Sequence, residues 1–165
     1  MQRIVKAIDM ILSRFLITLM ATMVLAVTWQ VFTRFVIKDP SSITEELARF
    51  LLIWIGILGA AYALRTRAHL GIDLITQKVG DKGKIAIDVL VNSLIIVFAL
   101  AVMIFGGMRL VLLTLDLEQT SASMGIMMGY IYLVIPLSGA LMILYASVAI
   151  MEAFAGNTVS TEGSN

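Results

Sequence analysis

The chain has 165 residues, of which 60% are hydrophobic and 14% charged, with a formal net charge of +1. Its mean hydropathy is +0.99. Soluble domains hold about 25% charged residues and roughly 45–50% apolar ones with glycine included, and a soluble fold of this size leaves about a third of its chain surface wet. So much apolar surface excludes both a soluble globular domain and a disordered chain, and makes lipid the solvent for most of the residues. There is no cysteine, and His69 is the one histidine. Disulfides, thiol catalysis, Cys-ligated zinc, iron–sulfur clusters, bis-histidine haem and multi-histidine metal sites are excluded with them. The near-neutral charge gives no footprint for nucleic acid.

A spanning helix needs about 20 predominantly apolar residues. The first uncharged run is Phe15 to Thr33, between Arg14 and Arg34, and predicts a helix over about 12–35. Asp9 and Arg14 follow Arg3 and Lys6, and no small-x-small site closes behind the run. It therefore reads as a permanent helix and not as a cleaved signal. The second run, Phe50 to Leu64, is short, but Arg49 and Arg65 at its ends can snorkel. Its start lies in Pro40-Ser41-Ser42-Ile43-Thr44-Glu45, where Ser42 with Glu45 three residues on is a capping-box pattern. The second helix is placed at 43–65.

The third run, Val89 to Met108, predicts a helix over 86–108. The fourth, Gln119 to Met151, is too long for one span, and Ser121, Ser123, Gly125 and Gly129 weaken its first third. Its helix is placed at 126–154, with Pro136 as a plain kink whose freed carbonyl neighbouring helices can satisfy. The expected fold is an all-α integral membrane protein: a single four-helix domain over 1–155, then a polar flexible tail over 156–165. The connections 38–49 and 109–119 mix apolar residues with charges. They read equally as interfacial amphipathic arm helices or as helix ends running past the bilayer.

Lysine and arginine in short loops set orientation. With the N-terminus inside, Arg3, Lys6, Arg14, Arg65, Arg67, Lys78, Lys82 and Lys84 are cytoplasmic, against Arg34, Lys38, Arg49 and Arg109 outside. Both termini are then cytoplasmic. Trp29, Trp54, Tyr130 and Tyr132 fall near the outer interface, and Tyr62 and Phe154 near the inner one.

No ionisable residue lies deep inside a predicted span, which argues against a stand-alone proton-coupled carrier. Gln30, Asn92 and Ser93 are the polar residues of note; Asp88 and Asn92 share a helix face and suit either a contact with a neighbouring helix or a structural hydrogen bond. In the second helix Gly56, Gly59, Ala60 and Ala63 fall at i, i+3, i+4 and i+7. That small face admits a close helix partner, from this chain or from another subunit. Gly106 and Gly107 could serve the same purpose. At one end of the second helix Glu45 and Arg49 are spaced to pair, with Glu46 beside them. At the other end Arg65, Arg67, His69 and Asp73 crowd the membrane edge, and two such ligands as His69 and Asp73 cannot close a structural metal site.

At this cluster the sequence resembles a known family. Glu45-Glu46-Leu47-Ala48-Arg49-Phe50, Trp54, Gly59-Ala60-Ala61-Tyr62-Ala63-Leu64-Arg65, His69 and Ile72-Asp73 are similar to the small membrane subunit of TRAP transporters, the DctQ-like family, including its sialic-acid type. Gln30-Val31-Phe32-Thr33-Arg34-Phe35 looks like that family's end of the first helix. Ser123-Met124-Gly125-Ile126, Gly129, Tyr132 and Pro136-Leu137-Ser138-Gly139 look like its fourth-helix signature. The resemblance covers about residues 10–152, with Ile43 and Met127 departing from the tryptophan and proline the family often has there.

The resemblance implies a non-enzymatic, cofactor-free scaffold in a bacterial inner membrane. It would belong to a tripartite, binding-protein-dependent, usually sodium-driven importer of organic anions of the dicarboxylate or sialic-acid class. Its implied partners are a large membrane subunit that moves as an elevator, an extracytoplasmic binding protein and membrane lipid. By resemblance Glu45, Glu46, Arg49 and Trp54 form an outer-edge scaffold and docking region, and Arg65, His69 and Asp73 an inner-edge structural motif. The competing readings are a small stand-alone carrier or adaptor, and a membrane enzyme or electron carrier, which would need cysteines or paired histidines.

Overall fold

The computed structural model of the chain describes residues 2–39, 41–66 and 81–162. Four helical spans in it are long and apolar enough to cross a membrane. The first is α1 (Gln2–Phe32), continued by a π-helical segment, Thr33–Ile37, that ends where Lys38 turns into the left-handed region at φ 60°. It starts well before the predicted residue 12. The second is α2 (Ser42–Arg65), within a residue of the range expected. The expected capping box is displaced by one position. Ser41 is the cap, its hydroxyl accepting from the Thr44 N–H at 3.5 Å while the Thr44 hydroxyl donates back to the Ser41 carbonyl at 3.0 Å. Glu45 is thereby released from capping and pairs instead with Arg49.

The third span is one continuous rod of α3 (Asp81–Phe98), π-helical Ala99–Gly106 and α4 (Gly107–Asp116). Residues 109–116 thus continue the third helical rod, and 42–49 likewise belong to the start of α2. A left-handed Glu118 (φ 49°) closes α4, with the Glu118 N–H on the Leu115 carbonyl and the Gln119 N–H on the Thr114 carbonyl, the paired bonds of a Schellman end. The fourth span is α5 (Met128–Tyr132) followed by α6 (Val134–Glu162). The joint at Leu133 lies just ahead of Pro136, whose missing N–H deprives the Tyr132 carbonyl of a helical partner. Bonds from Leu133 to Gly129 and from Leu137 to Leu133, both 3.2 Å, carry the chain across it, so the proline does not end the span. Helix α6 continues through Glu162, into the stretch expected to be a flexible polar tail.

The spans pack in the order first, second, fourth, third. Helix α1 lies along α2, α2 along α6, and α6 along α3 and its π-helical continuation, while α5 rests on α4. Among the described residues this is an open row. The fourth span is the most enclosed, with 33% of its most apolar stretch buried against 11% in each of the other three. The most enclosed large apolar side chains are Leu58 of α2 with Val134 and Tyr145 of α6, clustered with Val5 and Leu12 of α1. The broad faces of the row expose leucine, valine, isoleucine and phenylalanine along their length, a surface that only lipid or a protein partner can cover. Lipid supplies no hydrophobic drive between helices, so the row is held by close packing and by polar bonds between spans.

Candidate functional site

Close packing is concentrated where the third and fourth spans meet. A Cβ built on Gly129 would lie 2.5 Å from Leu115 Cγ, one on Gly107 2.8 Å from Ile135 Cγ2, and one on Gly139 2.8 Å from Met103 Cβ. These three glycines are the internal small-residue seam. The small face expected on α2 is different. A Cβ on Gly56 or on Gly59 would meet nothing within 4 Å, and Gly56 and Ala60 are exposed, with Gly59 and Ala63 half-buried. That stripe has a smooth surface and no neighbour pressed into it at its glycines. Asn92 bends back on its own helix, donating to the Asp88 carbonyl at 2.8 Å, and so links no second helix by that bond. Thr18 and Thr22 are likewise satisfied by carbonyls one turn back, both at 2.9 Å, as polar side chains facing an apolar medium must be.

Two polar bonds staple the middle of α2 to the fourth span. The Trp54 indole N–H donates to the Ile131 carbonyl at 3.1 Å, and the Ser138 hydroxyl, fully buried, donates to the Ile57 carbonyl at 2.8 Å. Trp54 also meets Phe15 of α1 edge to face at 6.2 Å. It therefore ties three spans together.

At the end of the row carrying Arg65, its guanidinium Nε reaches Asp9 of α1 at 3.3 Å and its Nη1 reaches Glu152 of α6 at 3.9 Å. One cation thus bridges two carboxylates on two neighbouring helices. The second Asp9 oxygen and the Tyr145 hydroxyl are buried there without a hydrogen-bond partner among the described residues. The other members assigned to this edge, His69 and Asp73, lie outside the described residues, as does Arg67.

At the opposite end the Glu46 carboxylate is clasped by the loop between the third and fourth spans. It accepts from the Ser121 hydroxyl at 3.1 Å and from the backbone N–H groups of Ala122, Ser123 and Met124 at 3.0, 2.9 and 2.9 Å. An ionised carboxylate is acceptor-only, and four donors converging on it match that chemistry. Beside it Glu45 and Arg49 pair in an exposed position, which at a wet surface contributes little stability. Among the described residues no group of three His, Cys, Asp or Glu side chains is arranged to hold a metal.

Helical spacing exposed the α2 stripe and the Glu45–Arg49 pair in the sequence. It could not expose the Glu46 loop clasp, the Asp9–Arg65–Glu152 bridge, the Ser138 staple or the Gly107–Gly129–Gly139 seam, all of which join residues far apart in the chain. The one available hint was charge: Asp9 and Glu152 stand at the same predicted membrane edge as Arg65.

Comparison with known proteins places this geometry in context. A family model described as "Tripartite ATP-independent periplasmic transporters, DctQ component" matches residues 23–156. The chain is 28% identical over 106 residues to the sialic acid TRAP transporter small permease protein SiaQ of Vibrio cholerae, covering 64% of this chain and 60% of that protein. It is 26% identical over 134 residues to the isethionate TRAP transporter permease protein DctMQ of Oleidesulfovibrio alaskensis, covering 78% of this chain and 21% of that protein. It is 31% identical over 77 residues to the sialic acid TRAP transporter permease protein SiaT of Haemophilus influenzae, covering 47% of this chain and 12% of that protein.

Proposed function

The chain belongs to the DctQ component family of the tripartite ATP-independent periplasmic transporters, and on that premise we propose that it is the small, non-catalytic scaffold subunit of such an importer. Its role is to brace a large membrane subunit that carries the solute, and to help receive an extracytoplasmic binding protein. The solute is an organic anion, of the kind named for its relatives, sialic acid or isethionate, and the coupling ion is sodium. The chain sits in a bacterial inner membrane with both termini cytoplasmic, which puts the Arg65 end inside and the Glu46 end outside.

The observation that carries this reading is the unfilled stripe Gly56, Gly59, Ala60 and Ala63 on a helix otherwise stapled to its own neighbours. A smooth helical face without an internal occupant is what a second membrane protein can approach closely. Among the described residues the polar bonds between spans serve to hold helices together, and the charged groups that make them lie at the two ends of the row. Glu45, Glu46 and Arg49 belong to the outer docking edge, and Trp54 supports it from within.

Reconstitution tests the proposal. The chain alone in proteoliposomes is expected to move no sialic acid or isethionate. Uptake should appear only when the large subunit, the binding protein and an inward sodium gradient are all present. Solute movement by the chain alone, or failure to co-purify with any larger permease from native membranes, refutes it.

A further inference from the structure

We propose that the Ser121–Met124 turn is a carboxylate-binding nest, and that Glu46 is its resident ligand, a positioning residue whose charge sets where the loop between the third and fourth spans stands. The loop makes its own bonds first. Ser121 N–H goes to the Ile126 carbonyl at 2.8 Å, Gly125 N–H to the Ser121 carbonyl at 3.1 Å and Met128 N–H to the Gln119 carbonyl at 2.8 Å. Gly125 takes φ +66° to let the chain turn, a conformation that suits glycine. None of these bonds uses the N–H groups of Ala122, Ser123 or Met124. All three point instead at one carboxylate on another helix, together with the Ser121 hydroxyl.

Successive backbone N–H groups converging in a turn form a concavity for an anion. Here the anion is supplied by the chain itself. Ser121 is buried and the loop's own bonds shape it, but Ala122 and Ser123 are exposed, and the charge-assisted bonds to Glu46 fix this part of the turn against α2. Removing the carboxylate would leave an open receptor for a small free carboxylate. The loop leads directly to Ile126, Met127 and Tyr130, which are 38%, 39% and 57% exposed. Resting on the scaffold reading above, Glu46 therefore fixes the surface that this end of the row offers to the binding protein.

The test uses the full chain in lipid nanodiscs, with amide hydrogen exchange read at Ala122, Ser123 and Met124. Glu46→Ala is expected to speed exchange at all three by at least about tenfold. Sodium acetate should slow it again, where sodium chloride at equal ionic strength does not. Glu46→Gln, which keeps the shape but sets an amide NH2 group against the turn, should lose protection most at Ala122, the one N–H on Oε1. Asp116→Asn, which removes an exposed carboxylate outside the nest, should change nothing at the three amides. Unchanged exchange in both Glu46 variants overturns the proposal, as does acetate acting no better than chloride. In the assembled transporter Glu46→Ala should raise the binding-protein concentration needed for half-maximal uptake, and acetate should lower it. If the amides respond and uptake does not, the nest stands and its docking role falls; if uptake never depended on the binding protein, the scaffold reading itself has failed.

Discussion

Enlarging Gly59 to leucine separates a surface kept open for a partner from one that merely lacks a side chain. Within the chain a Cβ at Gly59 meets nothing within 4 Å, and the same holds one turn earlier at Gly56. The substitution therefore displaces no neighbour at its first carbon. Leucine is also the better helix former, by roughly 1 kcal/mol in water-soluble hosts. The isolated chain should melt at the wild-type temperature or slightly above. A helix pressed into the stripe would instead meet a bulky side chain where its backbone had lain. Overpacking of that kind costs about 1–3 kcal/mol, which weakens association roughly five- to a hundredfold. The assay is co-purification of the tagged chain with the large subunit across a detergent series, with thermal melts of the chain alone beside it. A complex as robust as wild type would show that α2 does not present this stripe to the partner. A lower melting temperature of the isolated chain would show that the stripe is packed internally after all.

Gly129→Ala should do the reverse, because its Cβ would fall 2.5 Å from Leu115 Cγ and 3.2 Å from the Val111 carbonyl. The isolated chain is expected to lose about 1–3 kcal/mol, seen as a lowered melt before any partner is added; a wild-type melt would refute the close approach of α5 to α4. Arg65→Gln leaves Asp9 and Glu152 partly buried without their shared cation. With the Arg65 and Asp9 side chains only 26% and 24% exposed, the loss should exceed the ~1 kcal/mol of a wet surface pair and approach the roughly 3 kcal/mol of a buried one. Adding Asp9→Asn should recover part of it, and strictly additive losses would mean that the two side chains do not interact.

The four spans were legible because their signal is local. Apolar runs bounded by Arg14 and Arg34, or by Arg49 and Arg65, declare a helix without reference to the rest of the chain. Flanking charges set the limits less well: the first helix runs through Asp9 and Arg14, and the third past Arg109 to Asp116, because a charged side chain at a helix end can reach water without the backbone unwinding. The same is true of the N-terminus of α2, where the spacing of Ser42 and Glu45 pointed to a cap that the observed bond from the Thr44 N–H places on Ser41. Neighbour order was not legible. Nothing in the chain's order says that the fourth span lies between the second and third, and the glycines that permit it look in sequence no different from Gly56 and Gly59. The distinction between a filled and an unfilled glycine face exists only once the helices are docked. Glu46 was singled out beside Glu45 on grounds of spacing and resemblance, but its ligands are more than seventy residues away, and the Ser123-Met124-Gly125-Ile126 run among them marks a resemblance without saying which side chain it meets.

The polar bonds are distributed unevenly among the spans. Trp54, Ser138 and Arg65 all join the second span to the fourth or the first, and the Glu46 clasp fixes the loop that leads into α5. Among the described side chains no such bond ties the third span, from Ile85 to Asp116, to another helix. It is held by glycine contacts at Gly107, Gly129 and Gly139, and by the wide π-helical segment that meets Gly139 through Ala99 and Met103. Hydrogen bonds fix the register between two helices atom by atom, while packing of small residues fixes how closely they approach. The first, second and fourth spans are therefore held by both, and the third by packing. The unfilled α2 stripe lies on the part held by both.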